Sequence, residues 1–512
     1  MEAEPWEAMI SRNVGHPTFM SPHSKPILHH QGRIYVVNTP ADTLDVLEAQ
    51  SLDIVDRINV GIDPVALALR PDGKELWVAN HISDSVNVID LEETSPTYHQ
   101  VVGTVQEFDP LTKATRFDEP VGIAFAHNQK AYVALSSENE IAVVDVVSRR
   151  VLKKLPIPSQ DPRAIAVRGD RLYVLPFESN NQTQISGGLG ELDGKLKTFD
   201  AREHVLDHNN VLSVGAVVDI VKHPDIPDRD LYVFDTRTDE PVAVVKGLGT
   251  LLYGLTVDSS GTVYVAQTDA RNAANGLSGT QGHGLAEMEN RAFLNRITKV
   301  PFEADEPQPL EFMECEPLPP DHPSRERALA TPFAIQVSED DTTLVISAAS
   351  SDKLFTVDAS SGEILGRVDV ESVPRGIALV SGEEGQPHSA WVLNAVANSV
   401  SLVALQSLRQ PVVIKTAALE DPTPPQIKAG RRAFHDARAS STATFSCESC
   451  HPDGHTDQLL WVLKTPISTG GHQIVPRTTM PARGLRGTAP IIGMVSQGIP
   501  MGGSIPLVPV NR

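Results

Sequence analysis

Cysteine is scarce in this chain, three residues in 512, so there is no disulfide framework from which a compartment could be inferred. No apolar run approaches the length of a membrane-spanning helix. Met1-Glu2-Ala3-Glu4-Pro5-Trp6 has neither the basic nor the apolar stretch of a secretory leader. Positive charge is also short: 43 Lys and Arg stand against 65 Asp and Glu, a net charge of −22. Such a surface repels nucleic-acid phosphates and anionic lipid, and it suits a basic protein partner. The rest of the composition, 40% hydrophobic and 21% charged, is that of a soluble globular chain long enough for more than one domain.

What is present is a repeat. A β-rich phrase recurs at Tyr35-Val36-Val37-Asn38, Trp77-Val78-Ala79-Asn80, Tyr132-Val133-Ala134-Leu135, Tyr173-Val174-Leu175-Pro176, Tyr264-Val265-Ala266-Gln267, Val345-Ile346-Ser347-Ala348 and Trp391-Val392-Leu393-Asn394. Between these lie alternating strands such as Ser85 to Asp90, Glu140 to Asp145 and Lys353 to Asp358. Further strands open on proline at Pro64, Pro120, Pro162 and Pro374, where the missing N–H costs little. A small antiparallel sheet cannot bury both faces alone, so stacking such units radially predicts a mainly β fold, a seven-bladed β-propeller over residues 24–416. Lys25 to His29, with an apolar centre, is expected to complete the last blade. Long insertions at 177–230 and 268–330 read as either a binding surface near the C-terminal domain or edge decoration.

Residues 1–23 form an N-terminal extension, and 417–426 a Pro-rich linker that contains Asp421-Pro422-Thr423-Pro424-Pro425. Thr423 is then placed to cap a helix with Pro424 in its first turn. Ile427, Gly430, Phe434 and Ala437 fall on one face of that helix.

Next comes Cys447-x-x-Cys450-His451, the pattern of covalent c-type haem attachment. Two thiols one turn apart can form thioethers to the porphyrin vinyl groups, and His451 can serve as the proximal iron ligand. A zinc site would ordinarily show a second close ligand pair, but the remaining cysteine, Cys315, lies far upstream. A thioredoxin-like dithiol would sit in a βαβ unit, which is not predicted here.

With Ile427 to Phe434, Cys447 to His451, Asp453-Gly454-His455 and Thr478 to Gly487, the repeats resemble bacterial YVTN-type β-propeller/cytochrome c fusion proteins. The haem domain, residues 427–490, is similar to those of di-haem cytochrome c peroxidase and methylamine-utilisation proteins. The resemblance implies one haem c in this chain, an electron-transfer or oxidoreductase role and a periplasmic location. A leader missing from this chain is therefore expected. Met480, in a Pro/Gly-flanked loop, is the candidate distal ligand; His455 and His472 are its rivals. A copper or haem d₁ propeller enzyme would instead need converging histidines. His81, His127, His204, His208, His223 and His283 are available but show no ligand pairing beyond His204/His208.

Residues 491–512 lack acidic residues and periodicity. In the family, Gly-Thr-Ala-Pro is followed by Tyr-His-Trp-Asp-Gly-Ile-Pro-Gly-Asp-Pro-Tyr-Gly-Gly. Suitable codons for Ile491 to Gly503 spell that phrase when read one nucleotide earlier, so a frameshifted or truncated terminus that lacks the end of the haem domain is expected. The function expected first is c-type haem electron transfer with the propeller docking a basic redox partner. The alternatives are a peroxidase-like haem oxidoreductase and a binding propeller with a vestigial haem domain.

Overall fold

The computed structural model describes residues 19–179, 183–187, 218–222, 228–271, 274, 288–466, 472–479 and 481–483. The chain is mainly β. Its first sheet runs Ile27–His30, Arg33–Asn38, Thr43–Glu48 and Ile54–Asn59, each strand antiparallel to the one before. The same four-stranded order repeats over Pro64–Val105, Pro120–Pro156, Pro332–Asp369 and Pro374–Ala418. Between the Pro120–Pro156 group and the last two, eight strands from Gln160 to Glu314 make two such groups. They are joined at one register pair, Glu178 with Leu251. Every one of the recurrent Tyr/Trp-Val phrases forms the second strand of a group.

The groups are held together by apolar cores that lie between neighbours. Trp77, Val88, Val121 and Val133 share one core; Tyr132, Val143, Ile165 and Val174 share the next. The core that unites the two ends of the series places Ala378, Trp391 and Leu402 against Ile34, Val36, Leu44 and Leu67. Each fully buried aliphatic or aromatic side chain of this kind contributes roughly 1.5–3 kcal/mol. Several four-stranded sheets packed face to face in sequence are the arrangement of a propeller.

A polar clamp repeats beside the cores. The residue that turns the chain from second to third strand is Asp42, Asp84, Asn139 or Asp352, each in the left-handed region with φ near 50°, which Asp and Asn tolerate better than most residues. Its side-chain oxygen accepts the backbone N–H that opens the next sheet, at 2.8 Å from Asp63, 3.1 Å from Glu119, 2.8 Å from Asp161 and 3.0 Å from Val373. Asn398 makes the corresponding tie across the seam, donating to Asn38 at 3.1 Å. The Asn that ends the phrase works within its own sheet: Asn80 donates to Ser85 and Asn87, and Asn394 to Ser399 and Ser401.

Two expectations are corrected. The N-terminal strand Ile27–His30 pairs with Arg33–Asn38 in the first sheet and does not complete the last one. The seam is closed by side chains instead: His29 stacks on Trp391 at 5.2 Å, and the Trp391 indole donates to the Ala49 carbonyl. The helix after the linker is Pro425–His435, and its N-cap is Pro424 with no side-chain cap; the Thr423 hydroxyl is buried without a partner. Gly430 is exposed with open space around it, whereas Phe434 meets Phe19 edge to face at 5.3 Å. Among the described residues no helix is long and apolar enough to cross a membrane.

Close approach between the first strands of adjacent groups admits only glycine in places. A Cβ at Gly254 would sit 2.4 Å from the Phe333 carbonyl oxygen of the next sheet. Gly254→Ala should therefore force the two strands apart and cost about 1–3 kcal/mol, read as a lower denaturant midpoint in equilibrium unfolding; an unchanged midpoint would mean the sheets are not packed this tightly.

Candidate functional site

The cysteines lie on a one-turn helix, Cys447–Cys450, whose start is fixed by a reciprocal capping box between Ser446 and Ser449. His451 closes the turn through its N–H to the Cys447 carbonyl at 3.0 Å. The chain then reverses through Asp453 and Gly454, both with positive φ. Only glycine fits the second position, because a Cβ there would meet the Phe19 ring at 2.4 Å. Asp457 holds the return by accepting from the Leu459 N–H at 3.0 Å and the Trp461 indole at 2.8 Å.

Both thiols are half-buried and unpaired. Burial pushes the Cys447 thiol up, and burial with Asp457 nearby pushes Cys450 well up, so both carry their protons at neutral pH. Cys450 and Phe445 pack against an apolar cluster that includes Met288, Phe293, Leu459 and Trp461. His451 is half-buried, and its Nδ1 has no hydrogen-bond partner. The described part of the second insertion thus lies against the cysteine segment, and Asn295 donates to the Thr444 carbonyl at 3.0 Å.

Beneath this turn lies a buried ion network. Asp453 accepts from Arg163 at 2.6 Å through one carboxylate oxygen and from Arg375 at 2.8 Å through the other. Arg163 and Arg375 stand directly after Pro162 and Pro374 at the entrances of two strands from different sheets. Arg163 also pairs with Asp161 and lies over the Phe177 ring at 3.7 Å. Arg375 reaches Glu448, between the two cysteines, at 2.7 Å and lies over Phe333 at 4.8 Å. Glu448 in turn accepts the Asp453 N–H at 3.1 Å. His435 donates Nδ1–H to the Arg431 carbonyl at 2.8 Å, leaving Nε2 to accept from Arg375 at 3.2 Å. Arg483 ties the Asp453 carbonyl to that of Met20. The cysteine turn is therefore seated on the propeller-like body through charge as well as apolar contact.

No protein-family model matches this chain, and no curated protein matches it significantly. Among solved structures it is similar to hydrazine synthase of Kuenenia stuttgartiensis, at 17% identity and a TM-score of 0.53, with 77% of this chain and 97% of that chain covered. The computationally designed protein Ika8 matches at 9% identity and a TM-score of 0.43, over 79% of this chain and 90% of that chain; a likeness at that score carries no argument. The first likeness is one of fold.

The turn brings together two protonated thiols one turn apart, an aromatic wall beside one of them, and an imidazole with an unpartnered nitrogen. Among the described residues no three of His, Cys, Asp and Glu converge on one point. Met480 lies outside the described residues, as do the His472 side chain, His204, His208, His223, His283 and residues 484–512. His455 is exposed and lines a polar cavity. His127 is exposed and bonds only its neighbour Gln129, whereas His81 is buried beside that cavity. Sequence reasoning passed over Arg163 and Arg375. Their signal was an arginine at a strand position where two of the other repeats carry Val65 and Val121.

The two arginines hold the Asp453 carboxyl far below the usual carboxylate range despite its burial. The stability it supplies is present above its unfolded pKa of about 3.9 and disappears only as pH falls through the lower folded value. Asp453→Asn leaves two buried guanidiniums without that carboxylate and should cost about 3–5 kcal/mol. Denaturant unfolding at pH 7 measures this, and a loss below 1 kcal/mol would show that the network is not holding the segment.

Glu178, on the wall of the same cavity, behaves oppositely: burial and neighbouring Asp161 push its carboxyl up to about 8. Folded chain then binds a proton that unfolded chain releases above about 4.3, so stability should fall as pH rises from there to 8. Glu178→Gln should flatten this part of the stability–pH curve; an unaltered slope would place the titration elsewhere.

Proposed function

We propose that this chain is a c-type haem electron-transfer protein, a seven-bladed β-propeller of the YVTN type joined to a cytochrome c-like domain over residues 427–490. The observation that carries the reading is the Cys447-x-x-Cys450-His451 turn, presented on a capped helix with unpaired thiols beside Phe445, Phe293 and Trp461. Cys447 and Cys450 would hold the porphyrin through thioethers, each thiol adding S–H across a vinyl double bond, and His451 would be the proximal ligand. When bound, the haem supplies a one-electron redox centre. The protein's part is to exclude water with the aromatic wall and to fix the turn in place through Glu448 and Asp453. The likeness to hydrazine synthase supports the propeller-type fold of this reading. Haem c would place the protein in the periplasm, where the acidic surface suits a basic redox partner.

Expression of the full chain behind an export leader, with haem-attachment machinery, should give a haem-stained band that survives denaturing electrophoresis. Cys447→Ala with Cys450→Ala should abolish the band. His451→Ala should keep covalent pigment while altering its absorption spectrum. Bound zinc without porphyrin absorption would overturn the assignment, and peroxide-dependent oxidation of a donor would move the protein from carrier to enzyme.

A further inference from the structure

Beside the cysteine turn is a cavity of about 250 Å³, formed by the loop ends of three successive sheets and by the segment after Cys450. At about 30 Å³ for each water, it has room for a ligand of several heavy atoms. Its wall includes His81, Glu119, Asp161, Arg163, Glu178 and His455.

Arg163 is committed to Asp161 and Asp453 on all three of its nitrogens. Two acceptor-bearing side chains beside it have an atom without a partner. Asp161 uses one carboxylate oxygen for Arg163, and its other oxygen is buried with no partner. His81 is only 7% exposed, its Nδ1 is unpartnered, and its Nε2 stops 3.9 Å short of the Glu119 carboxylate, beyond hydrogen-bond reach. Burial pushes the His81 pKa down to about 4, and burial with Arg483 and Arg163 nearby lowers that of His455, so neither imidazole adds positive charge at neutral pH. With its ring proton on Nδ1, a neutral His81 offers Nε2 as an acceptor, and the 3.9 Å gap from there to the Glu119 carboxylate is one that a donor group between them would bridge.

We infer that this cavity binds a small organic cation bearing a primary ammonium group, whose N–H donors bridge His81 Nε2 and the Glu119 carboxylate and approach Asp161. Cation charge matches the Asp161 and Glu119 carboxylates, whereas Glu178 is protonated at neutral pH. Its N–H donors span the 3.9 Å gap between His81 Nε2 and the Glu119 carboxylate. This inference goes beyond the haem reading and stands whether or not the thiols carry a porphyrin.

The test is isothermal titration calorimetry on the full chain at pH 7 and constant ionic strength. Ethanolammonium is the probe, tetramethylammonium a cation without N–H donors, and acetate an anion. Saturable binding of ethanolammonium alone is expected, weakened at least tenfold by His81→Leu and by Glu119→Gln, and unaffected by Glu363→Gln on a remote hairpin. Circular dichroism checks that each variant folds; if His81→Leu does not, the half-exposed Glu119→Gln decides. Equal affinity for tetramethylammonium would reduce the site to unspecific charge, and the absence of saturable heat would mean that the cavity holds water only. Either result overturns the inference, as does unaltered binding in the variants. Haem staining of the same preparations reports separately on the thiols, so failure of one reading is distinguishable from failure of the other.

Discussion

Each apolar core in this β fold is shared between neighbouring sheets, and the rest of the structure depends on that sharing. A four-stranded antiparallel sheet with apolar residues on both faces is insoluble by itself, so every group needs two neighbours and the first needs the last. The core uniting Trp391 with Ile34 and Leu67 meets that need without an exchanged strand. Hydrogen bonding follows the same geometry. The left-handed Asp or Asn at each hairpin can reach the next sheet's entrance only if the packing distance is right, so clamp and core fix the same spacing.

Given that body, the cysteine turn requires an attachment that short apolar segments cannot provide alone. Burying Arg163, Arg375, Asp453 and Glu448 together carries a large desolvation cost, which is offset only because each charge meets opposite charges with good geometry. The gain is directional. A greasy contact would let the turn slide, whereas a carboxylate shared between two guanidiniums from different sheets defines one position and one orientation.

Much of this was legible in the sequence. The recurrent Tyr/Trp-Val phrase gives the second strand in each group because its β-branched and aromatic residues suit a strand buried on both faces, and its Asn explains itself once bonded across the hairpin. The proline entrances were equally plain. The place of Ile27–His30 was not, because an isolated apolar strand at the start of a repeat series fits either the first sheet or the last, and only pairing decides. Nor was the role of Arg163 and Arg375: their partners lie far away in the chain, and no local pattern announces a long-range ion pair. The Cys-x-x-Cys-His spacing was plain in the sequence, but the aromatic wall drawn from the insertion around Phe293 was not.

Arg163 joins the two candidate sites. One of its nitrogens holds Asp453 beneath the cysteine turn, and the others hold Asp161 at the polar cavity. On the inferred reading, an ammonium ligand at the cavity shares Asp161 with Arg163, and any shift of that guanidinium is felt by Asp453 and, through the Asp453 N–H, by Glu448 between the cysteines. Coupling of this sort is reciprocal: a change at the cysteine turn that altered the hold on Asp453 would change ligand affinity by the same factor. The ion network is thus both the seat of the turn and a physical path from the cavity to it.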